Sequence, residues 1–334
     1  MSELRWNPLL GEWLVAASAR QERVFRPPDD ACLFCSPLPG GPPGEVPDVT
    51  YDIAVFENRF SSLSPDPPAP SIDGTALYQV RPGQGTCEVV LYTLEHEASL
   101  ANQPVEQIDR LVRVWTDRFV QLGALDFVRY VFELEAQGEA TGVTLDHPHG
   151  QIYAYAFVPA QIAREIEQSR LHQDRTGRCL LCDVVAEERH SGRRIVAENA
   201  SFVAYVPFFA RWPYEIHIAS LRHLQALPDF TREEQRDLAS ILKMVLVACA
   251  DLFKARFAHL LALHQRPSDG QWYDYYHFHV ELYPSHRTAT KPNHPAGSEM
   301  GTGAFFNEAL VEDTAAELRA HVAPVVWAKK PEKR

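Results

Sequence analysis

Two histidines and a glutamine at alternate positions carry the strongest chemical signal in this chain: His147-Pro-His149-Gly-Gln151. In an extended strand alternate side chains share a face, so positions 147, 149 and 151 would set two imidazoles and one carboxamide side by side. A neutral imidazole is a competent nucleophile toward phosphorus near neutral pH. It attacks through one ring nitrogen if the other keeps its proton against a fixed acceptor, and a backbone carbonyl of the same segment could serve. Gln151 could then donate an amide hydrogen to a phosphoryl oxygen as charge builds there. An amide is no general acid, so the pattern suits a leaving group that departs without a proton, such as a sugar phosphate. Gly150 would let a ligand approach the backbone closely, and a glycine-containing loop, Gly138–Leu145, precedes the segment. His149 is thus the candidate nucleophile, with Gln151 beside it.

The second signal is metal chemistry. Four of the 6 cysteines form two C-x-x-C pairs, Cys32/Cys35 and Cys179/Cys182. Such a turn brings two thiolates to one tetrahedral ion, and zinc then needs two further ligands. His96 and His147 would complete a Cys2His2 site with Cys32 and Cys35. His223 and His277 would do the same for Cys179 and Cys182. The long gaps describe sites that tie distant strands together rather than local zinc fingers. Recurring histidines favour zinc over a redox pair, and no βαβ context surrounds either motif. Two zinc ions per chain are expected. A competing set for the second site is Glu165, His264, His279 and Glu281, which could gather around zinc or iron.

These residues need elements to position them. Residues 1–30 read as an edge hairpin, and 26–70 as loop with one strand at Ile53–Phe56. Further strands are expected at Glu88–Tyr92, Val128–Glu133 and Gln151–Val158, with helices over Val105–Leu122 and Pro159–Gln173. The order then restarts. Strands at Phe202–Val206 and Tyr214–Ser220 precede a long helix, Arg232–Ala255, and His277-Phe-His279-Val-Glu281 echoes the first His-x-His segment. A last helix spans Asp313–Ala320. Each half runs C-x-x-C, strand, lone histidine (His96 or His223), helix, strand, His-x-His. We read this as an internal duplication with halves 1–170 and 171–334, the second structural and supporting the substrate.

The composition is 46% hydrophobic and 23% charged, which describes a globular chain, and the formal net charge of -12 argues against nucleic acid as partner. No membrane partner is expected, because no stretch approaches the roughly 20 apolar residues of a span. The N-terminus carries no secretory pattern, so a cytoplasmic location is expected.

The HPHGQIYAY segment and its setting resemble the galactose-1-phosphate uridylyltransferase family, the transferase branch of the histidine-triad superfamily, over most of the chain. Val206–Glu215 and Ala296–Phe305 match further family landmarks. The resemblance implies an α+β fold of two histidine-triad-like halves related by a pseudo-two-fold, with two antiparallel-rich sheets and packed helices. It implies double displacement: His149 takes UMP from UDP-glucose and passes it to galactose 1-phosphate, with Gln151 and Thr144 at the transferred phosphoryl group. By the same resemblance Arg20, Arg23, Asn58, Phe60 and Lys291 belong to the substrate site, the partners are a nucleotide sugar and a hexose 1-phosphate, and the protein is a homodimer. Two stretches depart from the family: Ala136-Gln137 replaces an Asn-Lys/Arg pair, and Asn293 and His294 replace a lysine and an aromatic residue. The second half also lacks the full triad pattern, since Glu281 stands where Gln151 stands in the first half. An ADP-glucose adenylyltransferase or phosphorylase with the same His149 chemistry is the alternative within this superfamily. A non-catalytic zinc-stabilised binding protein is the alternative outside it.

Overall fold

The structure is a computed structural model that describes residues 2–17, 32–35, 46, 51–254, 257–288, 291–293 and 297–328. The chain opens with the hairpin β1 (Ser2–Asn7) and β2 (Glu12–Ala17), which sets Trp6 opposite Trp13. β3 (Ala54–Glu57), β4 (Val80–Pro82) and β5 (Gly85–Leu91) follow, β4 joining the hairpin as a third strand. Next come α1 (Val105–Gly123), β6 (Tyr130–Gln137), β7 (His149–Tyr155), α2 (Ala160–Thr176) and α3 (Leu180–Ser191). The second half then lays down β8 (Ile195–Glu198), β9 (Phe202–Tyr205), β10 (Ile216–Ser220), α4 (Arg232–Phe253), β11 (His259–His264) and β12 (His279–Pro284). A short hairpin, β13 (His286–Thr288) and β14 (Lys291–Pro292), and the helices α5 (Gly297–Thr302) and α6 (Val311–Ala320) complete it.

Among the described residues, nine strands form one antiparallel sheet in the order β3-β5-β7-β6-β11-β12-β10-β9-β8. The α+β class and the antiparallel pairing agree with expectation. The two expected sheets, however, are joined edge to edge through β6 and β11, where Leu134 pairs with Ala262. Read outward from that seam, each half repeats one order: the strand before the His-x-His segment, the His-x-His strand itself, then the strand that ends near the lone histidine. The pseudo-two-fold therefore passes through the seam.

Helices cover one face of this sheet. In α1 the apolar residues Val105, Ile108, Leu111, Val112, Trp115, Phe119 and Leu122 fall at helical spacing and all are buried. They meet α4 and the sheet in a core that includes Val90, Ile152, Ile218, Leu246 and Val280, drawn from both halves. Each such side chain contributes roughly 1.5–3 kcal/mol by leaving water, so the halves are bound by a common core. Lys243 interrupts the apolar run of α4 without loss, because its ammonium donates to the Ala101 and Gln103 carbonyls at 2.6 and 2.8 Å.

Several boundaries differ from those read in sequence. β6 starts at Tyr130 rather than Val128 and extends to Gln137. Its polar residues Glu133, Glu135 and Gln137 are buried. The sequence could not show this, because their partners come from elsewhere in the chain. Tyr92 donates to Glu135 at 2.8 Å, Gln265 to Glu133 at 2.6 Å, and His259 lies 2.7 Å from Glu135, bent from hydrogen-bond geometry but close enough for an ion pair. Burial pushes the Glu133 carboxyl well above its usual range. α3, which starts inside the second C-x-x-C, has no strong period to reveal it. It starts after the extended Cys179, which makes no side-chain cap, and ends at Gly192 with φ +65°. Among the described residues no helix is long and apolar enough to cross a membrane.

Candidate active site and metal centres

Strand β7 begins at His149 and alternates as its sequence requires. Ile152 and Ala154 point into the core, and Gln151, Tyr153 and Tyr155 look out from the other face. His149 is 8% exposed. Its Nδ1 lies 2.8 Å from the carbonyl oxygen of His147. A carbonyl only accepts, so Nδ1 carries the proton and Nε2 keeps its lone pair. That is the tautomer a nucleophile needs. The Phe34 ring stands edge-on at 5.1 Å from the His149 ring. Tyr153 donates to Gln151 Oε1 at 2.8 Å.

Gly150 is also required by packing, a constraint the sequence does not show. A Cβ there would lie 2.9 Å from the Leu134 carbonyl oxygen of β6. The loop before His147 has a comparable constraint: Gly138 adopts φ +86°, and a Cβ would come within 2.7 Å of Ala258. Thr144 sits partly buried in this loop.

Among the described residues, three groups of side chains have the composition of metal sites, each with its donor atoms within 4.8 Å of one another. In the first, Cys32, Cys35, His96 and His147 converge, with Cys35 Sγ 3.4 Å from His96 Nδ1 and 3.5 Å from His147 Nδ1. His147 Nε2 lies 3.0 Å from the Thr93 carbonyl, so it holds the proton and the Nδ1 lone pair faces the thiols, free to accept from one or to ligate a metal. Burial and the adjacent Cys32 push the Cys35 thiol up to about 11. Two thiols so close cannot both ionise cheaply without a cation between them, which is the fit a tetrahedral metal supplies.

The second group repeats the pattern with Cys179, Cys182, His223 and His277. Cys182 Sγ lies 3.6 Å from His223 Nδ1 and 3.4 Å from His277 Nδ1, and His277 Nε2 faces the Ser220 carbonyl at 3.1 Å. The Cys182 thiol holds its neighbour Cys179 in the thiolate form and is itself pushed up in turn.

The third group is Glu165, His264, His279 and Glu281. It shares no residue with the second, so the two sets that compete on sequence alone are built side by side. Glu165 of α2 lies 3.0 Å from His264 Nδ1, and His264 Nε2 is 3.4 Å from Glu281. Burial alone would raise the Glu165 carboxyl, but His264 and His279 hold it down near 2. Burial would lower His264, yet Glu165 and Glu281 lift it to about 9. His217 and Arg211 also reach Glu281, at 3.3 and 3.4 Å. His279 copies the tether of His149: its Nδ1 lies 3.1 Å from the His277 carbonyl. The second half thus keeps the imidazole and surrounds it with carboxylates, an environment for a cation rather than a phosphate.

The remaining candidates are more dispersed. Asn58 follows β3. Its side chain donates toward Cys87 Sγ at 3.6 Å and accepts from the Phe60 N–H at 2.9 Å, while Phe60 is 40% exposed. Lys291 is exposed on β14. Asn293 lines a cavity of about 370 Å³ with Thr141, Arg211, Trp212, Tyr283 and Phe305. Ala136 lies in β6 opposite Leu260, at the seam between the halves. Arg20, Arg23, His294 and Ala296 lie outside the described residues. Reasoning from sequence missed Tyr153, Arg211 and His217. Tyr153 could have been found by continuing the alternation beyond Gln151. Arg211 and His217 had no local signal.

Two half-sheets related about one seam, each with a Cys2His2-type group and a His-x-His strand, define a duplicated α+β protein. Residues 1–159 match the family model for the galactose-1-phosphate uridyl transferase N-terminal domain, and 164–325 match that for its C-terminal domain. A galactose-1-phosphate uridylyltransferase of Thermotoga maritima is 38% identical over 320 residues, 96% of this chain and 98% of that protein. One of Haemophilus influenzae is 30% identical over 328 residues, 95% and 93% of the two chains. A solved uridylyltransferase structure superposes with a TM-score of 0.85 at 31% identity, covering 96% of this chain and 98% of that one. An ADP-glucose phosphorylase from Arabidopsis thaliana shares the fold with a TM-score of 0.71 at 22% identity, covering 96% and 98%. The chain belongs to the galactose-1-phosphate uridylyltransferase family.

Proposed function

We propose that this enzyme exchanges UMP between UDP-glucose and galactose 1-phosphate by double displacement at His149. The observation that carries the reading is the 2.8 Å contact of His149 Nδ1 with the His147 carbonyl, which leaves Nε2 unprotonated on the Gln151 side of the strand. In the first step Nε2 forms a bond to the α-phosphorus of UDP-glucose. The bond from that phosphorus to the bridging oxygen breaks, and glucose 1-phosphate leaves with the electron pair and needs no proton. The phosphorylated ring is cationic, and its Nδ1–H keeps the carbonyl as partner. In the second step a phosphate oxygen of galactose 1-phosphate attacks the same phosphorus, and His149 returns as the neutral leaving group. Gln151 donates to the transferring phosphoryl oxygens throughout.

Thr144 belongs to the phosphate site in this reading, Asn58 and Phe60 to the nucleotide, and Arg20, Arg23 and Lys291 to the charged ends of the substrates. The second half, from residue 171, is structural. Its Glu281 would repel a phosphate where Gln151 attracts one. Zinc in the two Cys2His2 groups would supply cross-links between distant segments, and zinc or iron would neutralise the Glu165 and Glu281 pair. The working form is a cytoplasmic homodimer.

The test is to mix the protein with UDP-glucose and galactose 1-phosphate and to follow UDP-galactose and glucose 1-phosphate together, with His149→Ala in parallel. Stoichiometric formation of both, lost in a variant that keeps its fold and metal content, is the expected result. Turnover with ADP-glucose and phosphate but not with the uridylyl pair would transfer the same chemistry to adenylyl sugars. No nucleotidyl-protein adduct with any nucleotide sugar would leave only a binding protein.

A further inference from the structure

A carboxamide presents opposite polarity at its two ends, so a half-turn of Gln151 would swap a donor for an acceptor in front of the phosphoryl group. Val89 and Leu134 flank Gln151 on the neighbouring strands, and their apolar side chains cannot select either orientation. Tyr153 can, because its hydroxyl lies 2.8 Å from Gln151 Oε1. We propose that Tyr153 is a positioning residue that engages the oxygen of Gln151 and so turns both Nε2 hydrogens toward the transferring phosphoryl group, an inference that rests on the uridylyl-transfer reading above.

A phenol could in principle accept from an amide instead. The second half resolves the direction. Tyr283 stands two residues after Glu281, as Tyr153 stands after Gln151, and bonds its carboxylate. An ionised carboxylate only accepts, so this placement in the sheet presents a phenol O–H as donor. The donor is also held in place. The Tyr153 ring stacks on Tyr155 with centroids 5.5 Å apart and planes 4° from parallel, and Tyr155 packs on Phe157 at 5.3 Å. Three aromatic residues on alternate positions thus brace the hydroxyl that sets the amide.

The test is a double-mutant cycle on the full-length enzyme, comparing wild type, Tyr153→Phe, Gln151→Ala and the double variant. Phenylalanine keeps the ring stack and removes only the hydroxyl, and the thermal midpoint reports that the fold is kept. The rate of uridylyl-enzyme formation from UDP-glucose is measured in single turnover, with steady-state kcat and KM beside it. Tyr153→Phe is expected to slow transfer about tenfold, the effect of one lost hydrogen bond, with KM changed less than about twofold. The double variant is expected to be no slower than Gln151→Ala, since Tyr153 acts only through that amide. An unchanged rate in Tyr153→Phe, or the same tenfold loss in the Gln151→Ala background, would overturn the proposal while the uridylyl-transfer reading stands. A wild type that forms no uridylyl-histidine would overturn both.

Discussion

Gln151 and Glu281 stand in one lateral row of the nine-stranded sheet. Gln151 pairs with Leu134, Leu134 with Ala262 across the seam, and Ala262 with Glu281. Members of such a row share a face, and three strand spacings separate the ends by about 14 Å. The duplicated halves therefore set a neutral donor and a carboxylate on one surface, at matching places beside matching imidazoles. A carboxamide and a carboxylate, which differ by one nitrogen for one oxygen, thus occupy matching places in the two halves.

That relationship predicts the behaviour of Gln151→Glu. The side chains are nearly isosteric, so the fold and the melting temperature should hold. A carboxylate beside His149 would repel the phosphoryl oxygens and forfeit a donor, and the loss of such a donor typically costs about 10²–10³ in rate. We expect uridylyl transfer to fall at least a hundredfold. Activity within tenfold of wild type would show that polarity at this position does not separate the halves.

Cys32→Ser should remove one ligand of the first Cys2His2 group. Metal binding at such a site is coupled to folding. The expected outcome is one metal equivalent fewer per chain by elemental analysis and a melting temperature lower by several degrees. Full metal content with an unchanged melting temperature would show that the group is no structural centre.

At the start of α4, Arg222 bonds Glu234 through Nε at 2.8 Å, while Thr231 and Glu234 form the reciprocal cap of the helix. Arg222 first, with further bonds from Thr231, holds the Glu234 carboxyl near 2 although burial opposes it. The folded value lies below the unfolded one, so this stabilisation is present above about pH 4.5 and fades as the pH falls toward 2. Arg222 is half exposed and screened, which reduces the benefit to about 1 kcal/mol. Glu234→Gln should lower stability by that amount at pH 7 in urea titration and by much less at pH 3. An equal loss at both pH values would contradict the ionic origin.

The nucleophile segment is legible in the amino-acid sequence because its logic is local. A two-residue period places His149 and Gln151 on one face whatever the strand pairs with, although His147 lies just before the strand and is placed by its contacts to Thr93 and Cys35. The two Cys2His2 sets are legible from short spacing and repetition, and α1 and α4 from helical periodicity. Arg20 and Arg23 remain expectations from resemblance, since they lie outside the described residues. The extent of β6 is not legible, because Glu133 and Glu135 look like surface residues until Gln265, Tyr92 and His259 are brought to them.

The sequence by itself thus determined the chemical groups and the faces they share, because the periods of strand and helix act over a few residues. Tertiary structure alone decided that both halves build one sheet, that the Cys/His and Glu/His groups coexist, and that Tyr153 reaches the Gln151 amide. Those outcomes depend on which strands become neighbours. That choice is made by burying α1 and α4 in one common core, whose residues lie more than a hundred positions apart.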